Sequence, residues 1–232
     1  MKVGGFQKVS LIDYPGKLSA ILFTQGCNLR CPYCHNPELV DPDRYGPLIG
    51  QEEILAFLEK RKGKLDALTV TGGEPLLQKD LAGFLDSVKK IGYLVKLDTN
   101  GTFPDELDAL SREGLIDYIA MDIKGPLKAY ETITASKVDT AKILRSIEII
   151  RSSGLRHEFR TTVVRTQLTP RDLTAVAGLI GKGDLYVLQP FIPGKTLKDA
   201  FASEGSYSPE EFSRIRAALS GKGQNVQVRL SA

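Results

Sequence analysis

The stretch ALTVTGGEPLLQKDLAGFLDSVKKIG, residues 67–92, decides the fold class of this chain. It begins with an apolar, β-branched run, Ala67 to Thr71, which is typical of a strand. A glycine turn follows, and then apolar residues recur at helical spacing until Gly92, a residue that commonly ends a helix. A strand, a turn and a helix in this order form a βα unit, from which parallel sheets are built.

The same unit recurs along the chain. Besides Ala67–Thr71, strands are predicted at Leu18–Gln25, Leu94–Asn100, Tyr118–Lys124, Glu158–Val164 and Tyr186–Phe191, with a short final strand at Val226–Leu230. Helices are predicted at Gln51–Arg61, Lys79–Ile91, Pro104–Glu113, Thr140–Ser153, Pro170–Ile180 and Pro209–Leu219. Six units are fewer than the eight of a closed barrel, so we predict an α/β fold with parallel strands, a partial, open (β/α)6 barrel of TIM-like type.

Length, charge and hydropathy narrow the class of protein. A chain of 232 residues predicts a single domain, with an N-terminal lead-in (1–17), a (β/α)6 core (18–191) and a C-terminal helix and short strand (192–232). Lys and Arg number 31 against 28 Asp and Glu, which gives no support for binding to nucleic acid or to a membrane surface. The sequence has neither a signal peptide nor a run of roughly 18 apolar residues, so we predict a cytoplasmic protein.

The three cysteines of the chain, Cys27, Cys31 and Cys34, lie within eight consecutive residues in a C-x3-C-x2-C pattern. An odd number at such close spacing indicates a ligand set and not a disulfide framework. Three thiolates on one loop can hold three corners of a 4Fe-4S cluster and leave one iron open, to which S-adenosylmethionine (SAM) can bind through its amino and carboxylate groups. A zinc knuckle that includes His35 is the alternative, but zinc sites generally use two separated ligand pairs.

Polar residues follow the other predicted strands at their carboxyl ends, where parallel sheets carry functional sites. Gly72, Gly73 and Glu74 follow one strand, and the glycines permit close approach of a ligand. Because strand side chains alternate, Asp98 shares a face with Asn100, and Asp122 shares a face with Lys124. If the two aspartates meet, their repulsion must be offset by a cation, a lysine or a ligand. The alternative is that Asp98 and Asn100 cap the next turn.

The motifs resemble a known family. The cysteine loop, with Tyr33 before its third cysteine, is similar to the defining motif of the radical SAM superfamily. The GGEP, DTNG and DIK strings and the CHN ending of the cysteine loop resemble those of glycyl radical enzyme activating enzymes. The segment Ser10–Lys17 resembles the anaerobic ribonucleoside-triphosphate reductase activating proteins in particular.

The resemblance implies a role for each motif residue. Cys27, Cys31 and Cys34 would hold the 4Fe-4S cluster, and Tyr33 would lie beside the adenine of SAM. Independently of the resemblance, His35 follows Cys34 directly and is expected to pack in the loop, beside the cofactor, and not to bind the metal. The methionine amino group would be received by Gly72, Gly73 and Glu74. A monovalent cation near the SAM carboxylate would lie between Asp98, with Asn100 nearby, and Asp122, and Lys124 would face the SAM pocket. Ile192 stands where many relatives have a histidine near the adenosine.

The implied activity is that of a radical SAM oxidoreductase that cleaves SAM reductively to a 5'-deoxyadenosyl radical and abstracts a glycine Cα hydrogen from a partner glycyl radical enzyme. Reduced flavodoxin or ferredoxin would supply the electron, because the sequence shows no flavin or nicotinamide phosphate loop. Three alternatives stay open: a pyruvate formate-lyase type activase, a compact radical SAM enzyme acting on a small molecule or nucleoside, and a non-enzymatic electron carrier or zinc-binding module.

Overall fold

The computed structural model describes residues 1–229, in which strands and helices alternate. The strands are β1 (Val3–Ser10), β2 (Ser19–Thr24), β3 (Ala67–Gly72), β4 (Leu94–Thr99), β5 (Tyr118–Asp122), β6 (Arg156–Val163), β7 (Leu185–Pro190) and β8 (Asn225–Val228). The helices are α1 (Pro37–Val40), α2 (Gln51–Lys60), α3 (Leu81–Ile91), α4 (Pro104–Arg112), α5 (Tyr130–Thr134), α6 (Thr140–Ser152), α7 (Pro170–Ala177) and α8 (Pro209–Ser220).

The strands form a sheet in which they follow one another in chain order, from β1 at one edge to β8 at the other. β2 pairs in parallel with β3, β3 with β4, β6 with β7, and β7 with β8. The six predicted core strands are therefore present as β2 to β7, and the prediction of an open, parallel α/β sheet is confirmed. β8 covers the predicted final strand up to Val228, and Leu230 lies outside the described residues.

The βα unit at residues 67–92 shows why this stretch folds as a strand, a turn and a helix. In α3, five apolar side chains at helical spacing are buried: Leu81, Phe84, Leu85, Val88 and Ile91. Such spacing places them on one face of the helix, which can pack on the sheet. The helix ends at Gly92, whose φ of 109° lies in the left-handed region that glycine adopts at little cost. The glycine-rich turn is therefore flanked by strand β3 and helix α3.

Two later helices begin with a capping box. Thr169 accepts from the backbone N–H of Asp172 at the start of α7, and Ser208 accepts from that of Glu211 at the start of α8. In each helix the acidic side chain accepts in return from the capping residue's N–H, which satisfies two otherwise free donors. These caps lie where the sequence predicted the two helices to begin.

The structure also corrects the description of the N-terminal segment. We predicted residues 1–17 to be a lead-in, but Val3–Ser10 forms strand β1, which pairs with β2 in the antiparallel direction. The short helices α1 and α5 were not predicted either. They have four and five residues, too few for apolar periodicity to appear.

The described residues group into two compact units. The first contains Met1–Asn28, Asn36–Thr99 and Phe103–Ile119, with β1 to β4 and α1 to α4. The second contains Leu29–His35, Asn100–Thr102 and the chain from Ala120 onward, with α5 to α8 and β6 to β8. The single domain predicted from chain length stays a prediction. Over residues 1–229, no helix has both the length and the apolar character that crossing a membrane requires.

Candidate functional site

The cysteine loop is held by its backbone. Cys27 belongs to the first compact unit, whereas Cys31 and Cys34 belong to the second. Within the second unit, the N–H of Cys34 donates to the carbonyl of Cys31 at 3.0 Å, which forms a tight turn between the two ligands. The loop is anchored at both ends: Arg30 N–H donates to Thr134 O at 3.1 Å, and Leu197 N–H donates to Cys34 O at 2.9 Å.

The Cys31 thiol lies in a buried, charged environment. Burial raises its pKa, while the Lys124 ammonium and the Tyr33 hydroxyl act in the opposite direction. Burial alone would lower the pKa of Lys124, but the neighbouring Asp122, Tyr33 and Cys31 raise it well above its usual value. Lys124 therefore stays protonated, and it provides a fixed positive charge beside a residue that must be a thiolate to bind metal.

The Tyr33 hydroxyl has no hydrogen bond of standard geometry to any residue in the described part of the chain, although it is buried. Its interaction with the Cys31 thiol falls short of that geometry. Buried hydroxyls in folded proteins nearly always have a partner. A thiol pair in a tight turn, beside a cation and a buried hydroxyl that lacks a partner, fits a sulfur-rich anionic group. Cys31 and Cys34 therefore suit an iron-sulfur cluster.

The His35 side chain is held by two contacts of its own. Its ring stacks on Phe191, with centroids 4.8 Å apart and planes at 12°, and its Nε2 lies 2.8 Å from the backbone oxygen of Ile192. Because a carbonyl oxygen only accepts, this Nε2 carries the proton. Residues 1–229 contain no group of three His, Cys, Asp or Glu side chains arranged to hold one metal ion. Cys27, Cys31 and Cys34 stay the predicted ligands of the cluster.

A cleft of about 360 Å³ lies at the carboxyl ends of β6 and β7. It is lined by His35, Thr162, Gln189, Pro190, Ile192 and Pro193. By the family resemblance, Ile192 occupies a position at which many pyruvate formate-lyase activases were expected to have a histidine. In the structure a different histidine, His35 from the cysteine loop, lines this cleft instead, and no sequence signal pointed to that placement.

The glycines of the GGEP turn are required by their own packing. A Cβ atom on Gly72 would lie 2.4 Å from the backbone nitrogen of Thr24, and one on Gly73 would lie 2.0 Å from the carbonyl oxygen of Gly26. The N–H of Gly73 donates to Thr24 O at 2.9 Å, and that of Glu74 donates to Gly26 O at 2.8 Å. The turn therefore packs directly on the backbone that leads into Cys27.

The Glu74 side chain is fully buried within the first unit. Its Oε1 accepts from Leu76 N–H at 3.1 Å and from the Thr99 hydroxyl at 2.9 Å. The carboxylate therefore caps the short 3-10 turn that follows and ties it to the end of β4. The sequence analysis predicted the residue as a ligand contact and missed this capping role.

Asp98 and Asn100, at the end of β4, each have a partner close in sequence, and the sequence analysis missed the one of Asp98. Asp98 forms a salt bridge with Lys96, a buried lysine two residues earlier on the same strand face. Asn100 accepts through Oδ1 from the N–H of Thr102 at 3.0 Å and from its hydroxyl at 2.6 Å. Asn100 thus has the turn-capping role that the sequence analysis left open.

Asp122 lies between two cations in the second unit. Lys124 Nζ is 3.1 Å from its Oδ2, which confirms that these two residues share a face, and Arg160 Nε on β6 is 2.8 Å from its Oδ1. Burial alone would raise the pKa of Asp122, but Arg160 and Lys124 outweigh it and hold the pKa well below its usual value. The sequence analysis expected a cation, a lysine or a ligand to offset the two aspartates if they meet, and it named Lys124 as the only basic side chain. The structure adds Lys96 as a partner of Asp98 and Arg160 as a partner of Asp122.

The chain was compared with known proteins. A family model described as the radical SAM superfamily matches residues 21–179. Protein MJ1227 of Methanocaldococcus jannaschii, named as a glycyl-radical enzyme activating enzyme, is 36% identical over 207 residues, which are 87% of this chain and 83% of that protein. The pyruvate formate-lyase-activating enzyme of Staphylococcus aureus is 36% identical over 131 residues, which are 51% of each chain.

Two further similarities bear on substrate and fold. The GTP 3',8-cyclase of Petrotoga mobilis is 29% identical over 202 residues, which are 84% of this chain and 61% of the cyclase. Streptococcus suis SuiB, solved bound to precursor peptide SuiA, gives a TM-score of 0.68 at 13% identity over 90% of this chain and 48% of SuiB. At that identity the likeness shows the fold alone.

Proposed function

The chain belongs to the radical SAM superfamily, and from this we propose that it activates a glycyl radical enzyme, with anaerobic ribonucleoside-triphosphate reductase as the expected partner. The similarity to the activating enzyme MJ1227 over 87% of the chain carries the proposal. The resemblance of Ser10–Lys17 to the reductase activating proteins supports the finer choice of partner. A pyruvate formate-lyase type activase is the nearest alternative within the same class.

The three cysteines are the proposed ligands of the 4Fe-4S cluster. When bound, this cluster supplies the electron that cleaves SAM to methionine and the 5'-deoxyadenosyl radical that takes the glycine Cα hydrogen. Cys31 and Cys34 are presented by a turn with its backbone carbonyls already bonded, so that the two thiols need little reorganisation to bind. Cys27 completes the set through the loop spacing.

The remaining site residues are proposed to bind SAM. Gly72, Gly73 and Glu74 would receive the methionine amino group, while Lys124, which faces the SAM pocket in this proposal, would attract the SAM carboxylate. The adenosine would lie beside Tyr33 and enter the cleft lined by His35 and Ile192. A cleft that is mostly apolar, with a few polar groups, suits a nucleoside.

A monovalent cation at Asp98 and Asp122, with Asn100 nearby, remains part of the proposal on the family resemblance alone. The electrostatic argument for it is weaker, because each aspartate already has a basic partner in its own compact unit. The electron donor, flavodoxin or ferredoxin, is likewise proposed from the chemistry, since the reaction consumes one electron that the chain must obtain from outside.

A second candidate is a radical SAM enzyme that acts on a nucleotide. The similarity to GTP 3',8-cyclase over 84% of this chain favours it. Identity is lower than with MJ1227, and the cyclase is matched over only 61% of its length, so we rank this candidate second.

One anaerobic experiment separates the two. The protein is reconstituted with iron and sulfide and given SAM and dithionite, and methionine and 5'-deoxyadenosine are quantified. We expect deoxyadenosine formation to increase when a glycyl radical enzyme is added and to be unaffected by GTP. An increase with GTP, accompanied by a modified nucleotide, would support the second candidate and contradict the first.

A further inference from the structure

The Tyr33 side chain presents a buried hydroxyl that the polypeptide does not satisfy. Only 5% of the residue is exposed, and within residues 1–229 the hydroxyl has no hydrogen bond of standard geometry. Leaving a buried donor without a partner is costly, and folded proteins seldom do so. A hydroxyl in this state at a cofactor site indicates a partner that arrives with the cofactor.

The surroundings of Tyr33 restrict what that partner can be. Tyr33 lies inside the tight turn between Cys31 and Cys34, and its ring meets Phe191 edge to face at 6.5 Å, which fixes its orientation. Its interaction with the Cys31 thiol falls short of hydrogen-bond geometry. A tyrosine hydroxyl can donate one hydrogen bond, and a sulfur atom that arrives with the cluster can accept it.

We propose that the Tyr33 hydroxyl donates a hydrogen bond to a sulfur atom of the bound cluster, either the Cys31 thiolate or an inorganic sulfide next to it, and thereby raises the reduction potential of the cluster. Reduction adds one negative charge to the cluster, and donors to the sulfurs stabilise that charge. Tyr33 is in this sense a tuning residue: it acts on the reaction through the cluster that it contacts.

The inference rests on the cluster-binding part of the proposed function and not on the identity of the substrate. It concerns how readily the first electron is accepted, before SAM is cleaved. An external reductant supplies that electron, so the hydroxyl changes an equilibrium and takes no part in a bond-breaking step.

The test is an electron paramagnetic resonance redox titration of the reconstituted protein without SAM. We expect Tyr33→Phe to bind the same amount of iron as the wild type and to be about tenfold harder to reduce, which corresponds to a midpoint lower by about 59 mV for a one-electron couple. Tyr186→Phe is the matched control. It removes a buried hydroxyl of the same compact unit, one that donates to Thr161 Oγ1 at 2.9 Å, and its midpoint should equal that of the wild type.

An unchanged midpoint in Tyr33→Phe overturns the inference, and a loss of SAM affinity in the same variant would then assign the hydroxyl to SAM. If Tyr33→Phe fails to assemble a cluster, the melting temperatures of the cluster-free variant and the cluster-free wild type are compared. The variant should melt at a higher temperature, because the substitution removes an unsatisfied buried hydroxyl. A lower melting temperature would mean that the hydroxyl already has a protein partner, which overturns the inference. A wild-type protein that binds no iron contradicts the proposed function instead, so the two failures are distinguishable.

Discussion

The Nε atom of Arg160 lies 2.8 Å from Oδ1 of Asp122, while Lys124 Nζ lies 3.1 Å from the other carboxylate oxygen. One carboxylate thus lies between two cations. The DIK string alone shows only the lysine, because the arginine comes from the next strand.

Replacing Asp122 by Asn should lower the free energy of unfolding at pH 7 by about 1–3 kcal/mol, because Lys124 and Arg160 lose the charged acceptor between them. The pKa of Asp122 in the folded protein lies below the unfolded value of about 3.9. Its contribution is therefore present above about pH 4 and is lost as the pH falls further. Urea denaturation at pH 7 and at several lower pH values measures both effects.

Asp86→Asn is the control for that experiment. Asp86 pairs with Lys90 on an exposed helix face, so its replacement should change the stability by less than about 0.5 kcal/mol at any of these pH values. If Asp122→Asn and the wild type lose stability in parallel as the pH falls from 5 to 3, the carboxylate is not held by the two cations in solution.

If the predicted monovalent cation binds, the rate of SAM cleavage should depend on which monovalent ion is present. At constant ionic strength, SAM cleavage should be faster in the preferred alkali ion than in a bulky organic cation, because screening alone does not discriminate between them. Lys96 forms a salt bridge with Asp98 in the structure, so its ammonium group would compete with the ion for this carboxylate. Lys96→Met should therefore lower the ion concentration that gives half the maximal rate. Identical rates in sodium, potassium and the organic cation would show that no such site exists.

Glu74 offers a way to separate capping from ligand binding. Glu74→Ala leaves the Leu76 N–H and the Thr99 hydroxyl without this acceptor and should cost about 1–3 kcal/mol of stability. Glu74→Gln keeps an oxygen in place, so it should retain most of the stability while weakening SAM binding about tenfold through loss of the charge. Both variants should still assemble the cluster. Equilibrium dialysis with SAM gives the affinity, and wild-type affinity in Glu74→Gln would refute a contact with the amino group.

Gly73→Ala should disturb the position of the cysteine loop, although Gly73 lies outside that loop in the sequence. The new Cβ would lie 2.0 Å from the Gly26 carbonyl oxygen, which must move, and Gly26 directly precedes Cys27. We expect a loss of about 1–3 kcal/mol in stability and a lower iron content after reconstitution. Gly83→Ala, in the first turn of α3 with open space around it, should instead stabilise the protein by about 0.5–1 kcal/mol. Equal iron content in Gly73→Ala and the wild type would show that the turn does not position the loop.

Much of the fold could be predicted because its signals are local. Each core strand is a short apolar run followed by a polar or glycine-rich end, and Gly92 marks the end of α3 at the predicted residue. Strand β1 was not predicted because Val3–Ser10 contains two glycines and several polar residues and pairs at a sheet edge. Helix α5 was not predicted because it is short and because its C-terminal residue of positive φ, Ala135 at 47°, is not a glycine, the residue that usually marks such an end.

Site contacts could be predicted only between residues that belong to the same short segment of sequence. Asp122 and Lys124 are two residues apart, so alternation was enough to put them on one face. The Arg160 partner depends on which strands are neighbours and on their register, and His35 reaches Phe191 only through the fold of the loop. Contacts between residues far apart in the chain leave no mark in a single sequence, so these two were missed. The Lys96–Asp98 pair lies within reach of the same alternation rule and was overlooked.

The most direct test of the central claim follows one hydrogen atom. A candidate glycyl radical enzyme labelled with deuterium at glycine Cα is incubated anaerobically with the reconstituted protein, SAM and dithionite, with Cys31→Ala as the negative control. The account predicts a glycyl radical signal in the partner, deuterium in the 5'-deoxyadenosine in matching amount, and neither with Cys31→Ala. Unlabelled 5'-deoxyadenosine without a glycyl signal, for every candidate enzyme tried, would contradict it.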